Sequence, residues 1–191
     1  MNNLIKNHIN EHINTISLID EKIQNEILNF ANKMVGALKE KKTIFWCGNG
    51  GSSSDAQHLA AELIGRFKDD RIALRSISLT ADSSVLTCIS NDYNFENIFS
   101  RQVEALGNEG DILIGISTSG QSQNIINALR KAKNMGLITM GLLGNGGGES
   151  LVECELSIVI PSDVTARIQE SHILIGHILC DLIEEGLSLK K

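Results

Sequence analysis

Residues 43–54 read Thr-Ile-Phe-Trp-Cys-Gly-Asn-Gly-Gly-Ser-Ser-Ser, an apolar run that stops at a turn of glycine and hydroxyl residues. Residues 112–122 repeat this arrangement as Ile-Leu-Ile-Gly-Ile-Ser-Thr-Ser-Gly-Gln-Ser. In each case we expect a buried strand to end at the turn and a helix to begin directly afterwards. A helix N-terminus presents unpaired N–H groups and the positive end of its dipole. The two turns therefore predict anion sites and suggest a phosphorylated small molecule as ligand.

From residue 43 onward, strand-like and helix-like segments alternate. The strand candidates are 43–47, 73–79, 111–116, 137–143 and 155–160, and the helix candidates are 53–66, 83–90, 94–106, 121–134 and 165–187. Strands joined by crossover helices indicate a parallel sheet that is covered on both faces. We predict an α/β fold, a three-layer α/β/α sandwich around a five-stranded parallel sheet, with residues 1–191 forming one domain.

Residues 3–40 have helical periodicity, with Asp20 as a break or cap between two helices. Two long apolar stripes exceed what one small sheet can cover. We therefore expect residues 1–40 to be a helical oligomerisation segment and the protein to be a homo-oligomer.

The composition excludes several classes of protein. Apolar residues make up 42% of the 191 residues, charged residues 21%, and the net charge is −6. No cluster of lysine and arginine is large enough for a nucleic-acid surface, so we expect no nucleic-acid partner. The first residues, Met1-Asn2-Asn3-Leu4-Ile5-Lys6, have no continuous apolar stretch, so we expect no secretory signal, and no apolar run reaches membrane-spanning length. The four cysteines lack clustered spacing, which favours free thiols and a cytoplasmic location; they are Cys47, Cys88, Cys154 and Cys180.

The two turns differ in how specific they are. The glycine turn at residues 48–52 is equally consistent with a flexible loop, and it has the spacing of neither a Rossmann fingerprint nor a nucleotide P-loop. The second turn favours a ligand, because four hydroxyls exceed what helix capping requires; they belong to Ser117, Thr118, Ser119 and Ser122. Asn91 and Asp92, in a connecting segment, either join this site or form an Asx turn.

Two groups of side chains are candidates for acid–base or metal chemistry. His58 and Glu62 lie one helical turn apart and share a face, as metal ligands, as base and partner, or as a plain surface pair. Gln169 and His177 lie in the last helix candidate, about 12 Å apart along a continuous helix. One metal ion would reach both only if Gln169 lies in a looser first turn, or if a neighbouring subunit supplies one of them.

These motifs together resemble the sugar isomerase (SIS) domain proteins, and within them the isomerases of sedoheptulose 7-phosphate. The resemblance runs nearly end to end, and the set of motifs that carries it is specific. The set is Cys47-Gly48-Asn49-Gly50-Gly51-Ser52, His58-x-x-x-Glu62-x-x-Gly65-Arg66, Asn91-Asp92, Gly115-Ile116-Ser117-Thr118-Ser119-Gly120-x-Ser122, and Arg167-Ile168-Gln169-Glu170-x-His172 with His177.

The resemblance implies a flavodoxin-like sheet and a homotetramer with active sites shared between subunits. It implies conversion of sedoheptulose 7-phosphate to D-glycero-D-manno-heptose 7-phosphate, towards the heptose of bacterial surface polysaccharide. It also implies site residues. Substrate would contact Asn49, Gly50, Gly51, Asn91, Asp92, Ser117, Thr118, Ser119, Ser122 and Gln169; zinc would be held by His58, Glu62, Gln169 and His177; Glu62 and His177 would be the acid–base pair.

Two other functions fit the same fold. Some relatives are regulatory proteins that bind the bacterial replication initiator, and these resemble the chain in its loops but lack the carboxylate and the final histidine. The presence of Glu62 and His177 therefore favours an enzyme. The third hypothesis is an isomerase of another sugar phosphate, such as an amino-sugar phosphate. Loop length and helix content around residues 1–40 and 165–191 resemble those enzymes less.

Overall fold

The sheet of this protein consists of five short strands, all of them parallel. In the computed structural model, which describes residues 1–188, they are β1 (Ile44–Gly48), β2 (Ser76–Ser78), β3 (Ile112–Ser117), β4 (Ile138–Leu143) and β5 (Leu156–Val159). Their order across the sheet is β2-β1-β3-β4-β5. This is the order of flavodoxin-like sheets, in which the direction of winding reverses between β1 and β3.

Within residues 1–188, seven α-helices flank or precede these strands. They are α1 (Asn2–Ser17), α2 (Glu21–Lys39), α3 (Gly51–Ile64), α4 (Ser83–Asp92), α5 (Ser100–Leu106), α6 (Gln123–Asn134) and α7 (Thr165–Gly186). The predicted segments correspond closely to these elements. One difference is at 94–106, which divides into a 3-10 turn at Phe95–Asn97 and the shorter helix α5.

The strands are buried on both faces, because their alternate side chains enter two separate apolar cores. Ile44 and Trp46 of β1 pack with α2, α3 and α7 on one face, while Phe45 and Cys47 pack with α5 and α6 on the other. All five residues of β1 and all six of β3 are buried. The predicted three-layer sandwich is therefore confirmed.

The N-terminal segment forms the two predicted helices. Asp20 is the N-cap of α2, and its carboxylate accepts a hydrogen bond from the N–H of Ile23 at 3.0 Å. Helix α2 contributes to the core, whereas α1 packs along α7 and leaves most of its apolar side chains in solvent. The exposed apolar residues of this segment are Met1, Leu4, Ile5, Ile9, Ile13, Leu18 and Leu28.

Two details differ from the sequence prediction. Helix α4 continues to Asp92, so Asn91 and Asp92 lie in its last turn and the predicted connecting segment is wrong there. The turn continues because the N–H of Tyr93 still bonds to the carbonyl of Ile89. Strand β2 is only three residues long, since it is an edge strand that pairs with β1 alone. All four cysteines are free thiols, and Cys88 is exposed.

Among the helices that the structure describes, none has both the length and the apolar character needed to cross a membrane.

Candidate active site

The glycine turn and the serine turn lie next to each other at the carboxyl ends of two neighbouring strands of the sheet. Strands β1 and β3 are hydrogen-bonded neighbours, and Gly48 pairs in register with Ile116. The turns that follow these strands therefore leave the sheet side by side, at the point where the strand order reverses. In open parallel sheets this is the crevice in which ligands bind.

The glycine turn needs its glycines for steric and conformational reasons. A Cβ atom on Gly48 would lie 2.4 Å from the backbone oxygen of Ser52, so the chain can turn there only without a side chain. Gly50 has a φ of +56° and is the N-cap of α3. The turn consequently aims the N-terminus of α3 into the crevice.

An amide pair that the sequence analysis missed joins the two turns. Asn49, in the glycine turn, exchanges two hydrogen bonds with Asn124, in the first turn of α6. Asn124 is 3% exposed and its oxygen also accepts from the N–H of Ile125 at 3.0 Å. The only signal in the sequence is an asparagine soon after the serine turn, a position that capping alone would explain.

The hydroxyls of the serine turn remain able to donate to a ligand. The Ser117 oxygen accepts from the N–H of Gly120 at 3.0 Å, and the Ser119 oxygen accepts from the N–H of Gln121 at 3.1 Å. Each hydroxyl thereby uses a lone pair and keeps its proton. Ser122 is the N-cap of α6, but within the described chain its side chain caps no amide of that helix. Thr118 is half-buried beside them.

Three of the predicted metal or acid–base residues form one cluster within a single protomer. The Nε2 atoms of His58 and His177 are 3.0 Å apart, and His58 Nε2 lies 3.3 Å from Glu62 Oε1. Among the histidine, cysteine and acidic side chains of residues 1–188, this is the one group of three whose ligand atoms all lie within 4.8 Å of one another. Imidazole and carboxylate donors at these separations are the donor set of a catalytic zinc site.

Gln169 lies at a different point along the same pair of helices. Helices α3 and α7 run side by side, so that Gln169 packs against Gly51 while Gly176 packs against Leu59. Helix α7 is already regular from Thr165, so a looser first turn at Gln169 is wrong. Eight residues of helix, about 12 Å, separate Gln169 from His177. Within one protomer Gln169 therefore lies beside the glycine turn and not in the cluster.

A second set of residues around the cluster was also missed. The ring of Phe67 stacks on His177, with centroids 5.5 Å apart and an angle of 25° between the planes. Arg71 and Glu184 form an ion pair at 2.8 Å with side chains that are 1% and 0% exposed. They are 113 residues apart in the sequence, and no local spacing could have indicated this contact.

The helices that form the site carry titratable groups with shifted pKa values, among them Asp55 and His172. Burial raises the pKa of the Asp55 carboxyl, an effect that His58, one turn further along α3, partly opposes. His172 is fully buried on α7, and burial lowers its pKa to about 4 although a hydrogen bond to the carbonyl of Leu143 opposes the shift. His172 is therefore a neutral structural histidine that joins α7 to the end of β4.

Asn91 and Asp92 are exposed at the end of α4. Asn91 donates a hydrogen bond to Asp92 at 2.8 Å, and Cys88 contacts the other carboxylate oxygen at 3.5 Å. The segment before α4 packs on the first turn of α3, because Thr80 donates to the carbonyl of Ser53 at 3.1 Å. This connection brings the start of α4 towards the glycine turn.

The whole arrangement has an anion-binding end and a proton-transfer end. Helix α3 begins at the glycine turn and carries His58 about 10 Å further along its axis. A ligand that lies along α3 would therefore meet backbone N–H groups and hydroxyls at one end, and a carboxylate with two imidazoles at the other. Such a site can hold a phosphate while it moves protons at a distant carbon.

Fold and site are those of a SIS domain, whose family model matches residues 7–144. The chain is 52% identical to the phosphoheptose isomerase of Campylobacter jejuni serotype O:6, over 97% of this chain and 100% of that one. It is 51% identical to the phosphoheptose isomerase of Nitratiruptor, over 95% and 97% of the two chains. The solved structure of phosphoheptose isomerase from Neisseria gonorrhoeae superposes with a TM-score of 0.92 at 38% identity, covering 96% and 98% of the chains.

The chain therefore belongs to the SIS domain family and, within it, to the phosphoheptose isomerases. It is an isomerase, as the sequence analysis predicted. The regulatory alternative receives no support from these relatives.

Proposed function

We propose that this enzyme converts sedoheptulose 7-phosphate into D-glycero-D-manno-heptose 7-phosphate through an enediol. The observation that supports this most strongly is the cluster of His58 and Glu62, on the helix that starts at the glycine turn, with His177 of α7. The names of the relatives, which are phosphoheptose isomerases, supply the substrate class.

The phosphate group would bind at the serine turn. Ser117, Thr118, Ser119 and Ser122 would donate their hydroxyl protons to its oxygens, and the N-termini of α6 and α3 would add N–H groups and dipoles. Gly50, Gly51 and Gln169 would contact the sugar beside α3. Asn49 would contribute through its backbone and through the N–H and the lone pair that its side-chain amide does not use with Asn124. Asn91 and Asp92 would contact the sugar from the end of α4.

The carbonyl would move from C2 to C1 by transfer of protons between neighbouring atoms. Glu62 would remove a proton from C1 while the C2 oxygen gains one, which gives the enediol. Glu62 would then return a proton to C2 while the C1 oxygen loses its own, which gives the aldose. His177 would carry the protons of the two oxygens, since an imidazole both donates and accepts near neutral pH.

The cluster fits a divalent zinc ion, because three N and O donors of suitable type face one point. When bound, the ion would supply polarisation of the carbonyl and stabilisation of the enediolate. His58, Glu62 and His177 of one protomer would hold it. Gln169 would complete the set only from another subunit, since its own protomer holds it against Gly51.

We further propose that residues 1–40 assemble the single SIS domain of residues 1–191 into a homotetramer with shared active sites. The supporting observation is an apolar groove between α1, α2 and α7, lined by Ile16, Ile19, Ile27, Leu28, Leu174, Ile178 and Leu182. The exposed stripe of α1 continues this groove. Ile9→Asp combined with Ile13→Asp should yield a smaller species in light scattering, whereas a tetramer unchanged by both would overturn this assembly.

The enzyme would act in the cytoplasm, and its product would supply the heptose of a bacterial surface polysaccharide, either lipopolysaccharide or capsule.

The decisive experiment incubates the purified protein with sedoheptulose 7-phosphate and, in a parallel sample, with an amino-sugar phosphate. ¹³C NMR follows the conversion of each sugar. Appearance of the aldose from the heptulose alone is the expected result. Turnover of the amino sugar alone, or tight binding without turnover, would overturn the proposal.

A further inference from the structure

We propose that Phe67 is a positioning residue for His177, and that the buried pair of Arg71 and Glu184 holds it in place. The proposal rests on the proposed function, because it assigns a role within the same site. It extends that function to three residues that make no contact with the substrate in the mechanism above.

The first step is the contact between the two rings. Phe67 stacks on one side of His177 with 25° between the ring planes, and His177 Nε2 lies 3.0 Å from His58 Nε2. The χ2 angle of a histidine has a broad distribution, so the imidazole ring can rotate about this bond. A flat neighbour packed against the ring restricts that rotation. The Phe67 ring provides that restriction, so it keeps Nε2 directed at the cluster.

The second step is the attachment of the loop that carries Phe67. This loop, residues 65–75, joins α3 to β2. The Arg71 guanidinium donates to the carbonyls of Glu62 at 2.8 Å and Leu63 at 2.9 Å. Carbonyls in the last turn of a helix have no partner within that helix, so they are available to an external donor. Arg71 therefore fastens the loop to the helix end that bears Glu62.

The third step is the role of Glu184. Its carboxylate accepts from the N–H of Phe67 at 3.1 Å, from the N–H of Lys68 at 3.3 Å and from Arg71 Nε at 2.8 Å. Burial raises its pKa, but these hydrogen bonds outweigh that effect and leave the pKa lowered. The carboxylate thus stays charged and fixes the backbone of Phe67 directly.

Helix α7 carries both His177 and Glu184. Glu184 follows His177 by seven residues, two helical turns, so both side chains leave the same face of the helix. One helix therefore carries both the imidazole and the carboxylate that holds its stacking partner. A buried ion pair gives little net stability compared with apolar residues of equal volume, but its hydrogen bonds fix directions. The pair is accordingly better suited to positioning than to stabilising.

The test compares Phe67→Leu, which keeps bulk but loses the flat ring, with Phe67→Tyr, which keeps the ring. Ile72→Ala is the control, because Ile72 lies in the same loop and is 70% exposed. For each protein we would measure zinc affinity of the metal-free form by chelator competition, kcat and KM for sedoheptulose 7-phosphate, and the orientation of His177 in a crystal structure. Glu184→Gln tests the ion pair. If Glu184→Gln does not fold, the result for Phe67→Leu alone decides the proposal.

We expect Phe67→Leu to weaken zinc binding and to lower kcat, each by about tenfold, with KM within about twofold of the wild type. Phe67→Tyr and Ile72→Ala should match the wild type. Unchanged zinc affinity and kcat in Phe67→Leu, or equal damage in Phe67→Tyr, would overturn the proposal. A wild-type protein that fails to isomerise the substrate would instead overturn the proposed function, and zinc affinity with ring orientation would still decide the role of Phe67.

Discussion

The side-chain amides of Asn49 and Asn124 bond to each other in both directions, at 2.8 and 2.9 Å, across 75 residues of sequence. This pair ties the glycine turn after β1 to the helix that follows the serine turn after β3. The spacing of the two anion-binding turns therefore depends on a contact outside both strands. The Asn49 amide keeps one N–H and one oxygen lone pair for the sugar.

The first prediction concerns this pair. Asn124→Ala should raise KM for sedoheptulose 7-phosphate and the inhibition constant of inorganic phosphate by about tenfold each, since loss of the hydrogen bonds costs about 1–2 kcal/mol. The change in kcat should be smaller, because Asn124 bonds to Asn49 of the glycine turn and the cluster consists of other residues. Steady-state kinetics with phosphate as a competitive inhibitor measures all three constants.

Asn127→Ala is the matched control for Asn124→Ala. Asn127 lies one turn further along α6 and bonds only to surface partners, the Gln123 side chain and the carbonyl of Glu96. It should leave both constants unchanged. If Asn124→Ala behaves as this control does, the amide pair plays no part in phosphate binding.

The second prediction separates steric crowding from backbone strain by comparing Gly120 of the serine turn with Gly146, which follows β4. Gly120 has a φ of +66°, and a Cβ there would lie 2.0 Å from the carbonyl oxygen of Gly147. Gly146 has a similar φ of +72° with nothing within 4 Å. Gly146→Ala should cost about 1 kcal/mol of unfolding free energy from strain alone. Gly120→Ala should cost clearly more and should also weaken phosphate binding, because the turn has to move.

Urea denaturation and phosphate titration of the two glycine variants provide the comparison. Equal losses of stability would show that the contact between Gly120 and Gly147 gives way without cost. Normal phosphate binding in Gly120→Ala would contradict the proposed role of the serine turn.

The fold could be predicted because the apolar runs are unambiguous. Residues 44–47 and 112–116 are continuous apolar stretches that are followed by glycine or serine, and such runs are typical of strands buried on both faces. The cluster of His58 and Glu62 could be predicted for a similar reason, since four residues of helix bring two side chains to one face. Both arguments use only local spacing.

The rest of the site depends on contacts between distant segments. Arg71 meets Glu184 across 113 residues, and Asn49 meets Asn124 across 75. Neither contact has a local pattern, and an isolated arginine or asparagine is usually a surface residue. The end of α4 was misplaced for a different reason, because Asn91 and Asp92 are turn formers whose helix continues through a backbone bond of Tyr93.

The third prediction tests the carbon base. Glu62→Gln keeps the shape of the side chain but cannot remove a proton from C1, so kcat should fall by about 10²–10⁴. The control is Glu104→Gln on α5. The Glu104 carboxylate pairs with Lys131, and both residues lie on the face of the sheet opposite to Glu62. Initial rates with sedoheptulose 7-phosphate, alongside circular dichroism of each variant, give the comparison. Substantial isomerase activity in Glu62→Gln would defeat the assignment of Glu62 as base.

The fourth prediction concerns stability and pH. The pKa of His172 is about 4 in the folded protein, below its ordinary value of 6.5, because burial disfavours the charged form. Between these two pH values the unfolded chain binds a proton at this residue that the folded chain does not, so the folded state loses stability as the pH falls. The loss begins near pH 6.5 and reaches about 3 kcal/mol once the pH is below 4.

His172→Gln isolates this effect, since the glutamine amide can still donate to the carbonyl of Leu143 but does not titrate. Urea denaturation at several pH values between 4 and 7 gives the unfolding free energy of each protein. Relative to the wild type, the variant should gain about 3 kcal/mol as the pH is lowered through this range. Parallel curves for His172→Gln and the wild type would mean that His172 takes up its proton equally well in both states, and that its burial against β4 does not govern the acid stability of the protein.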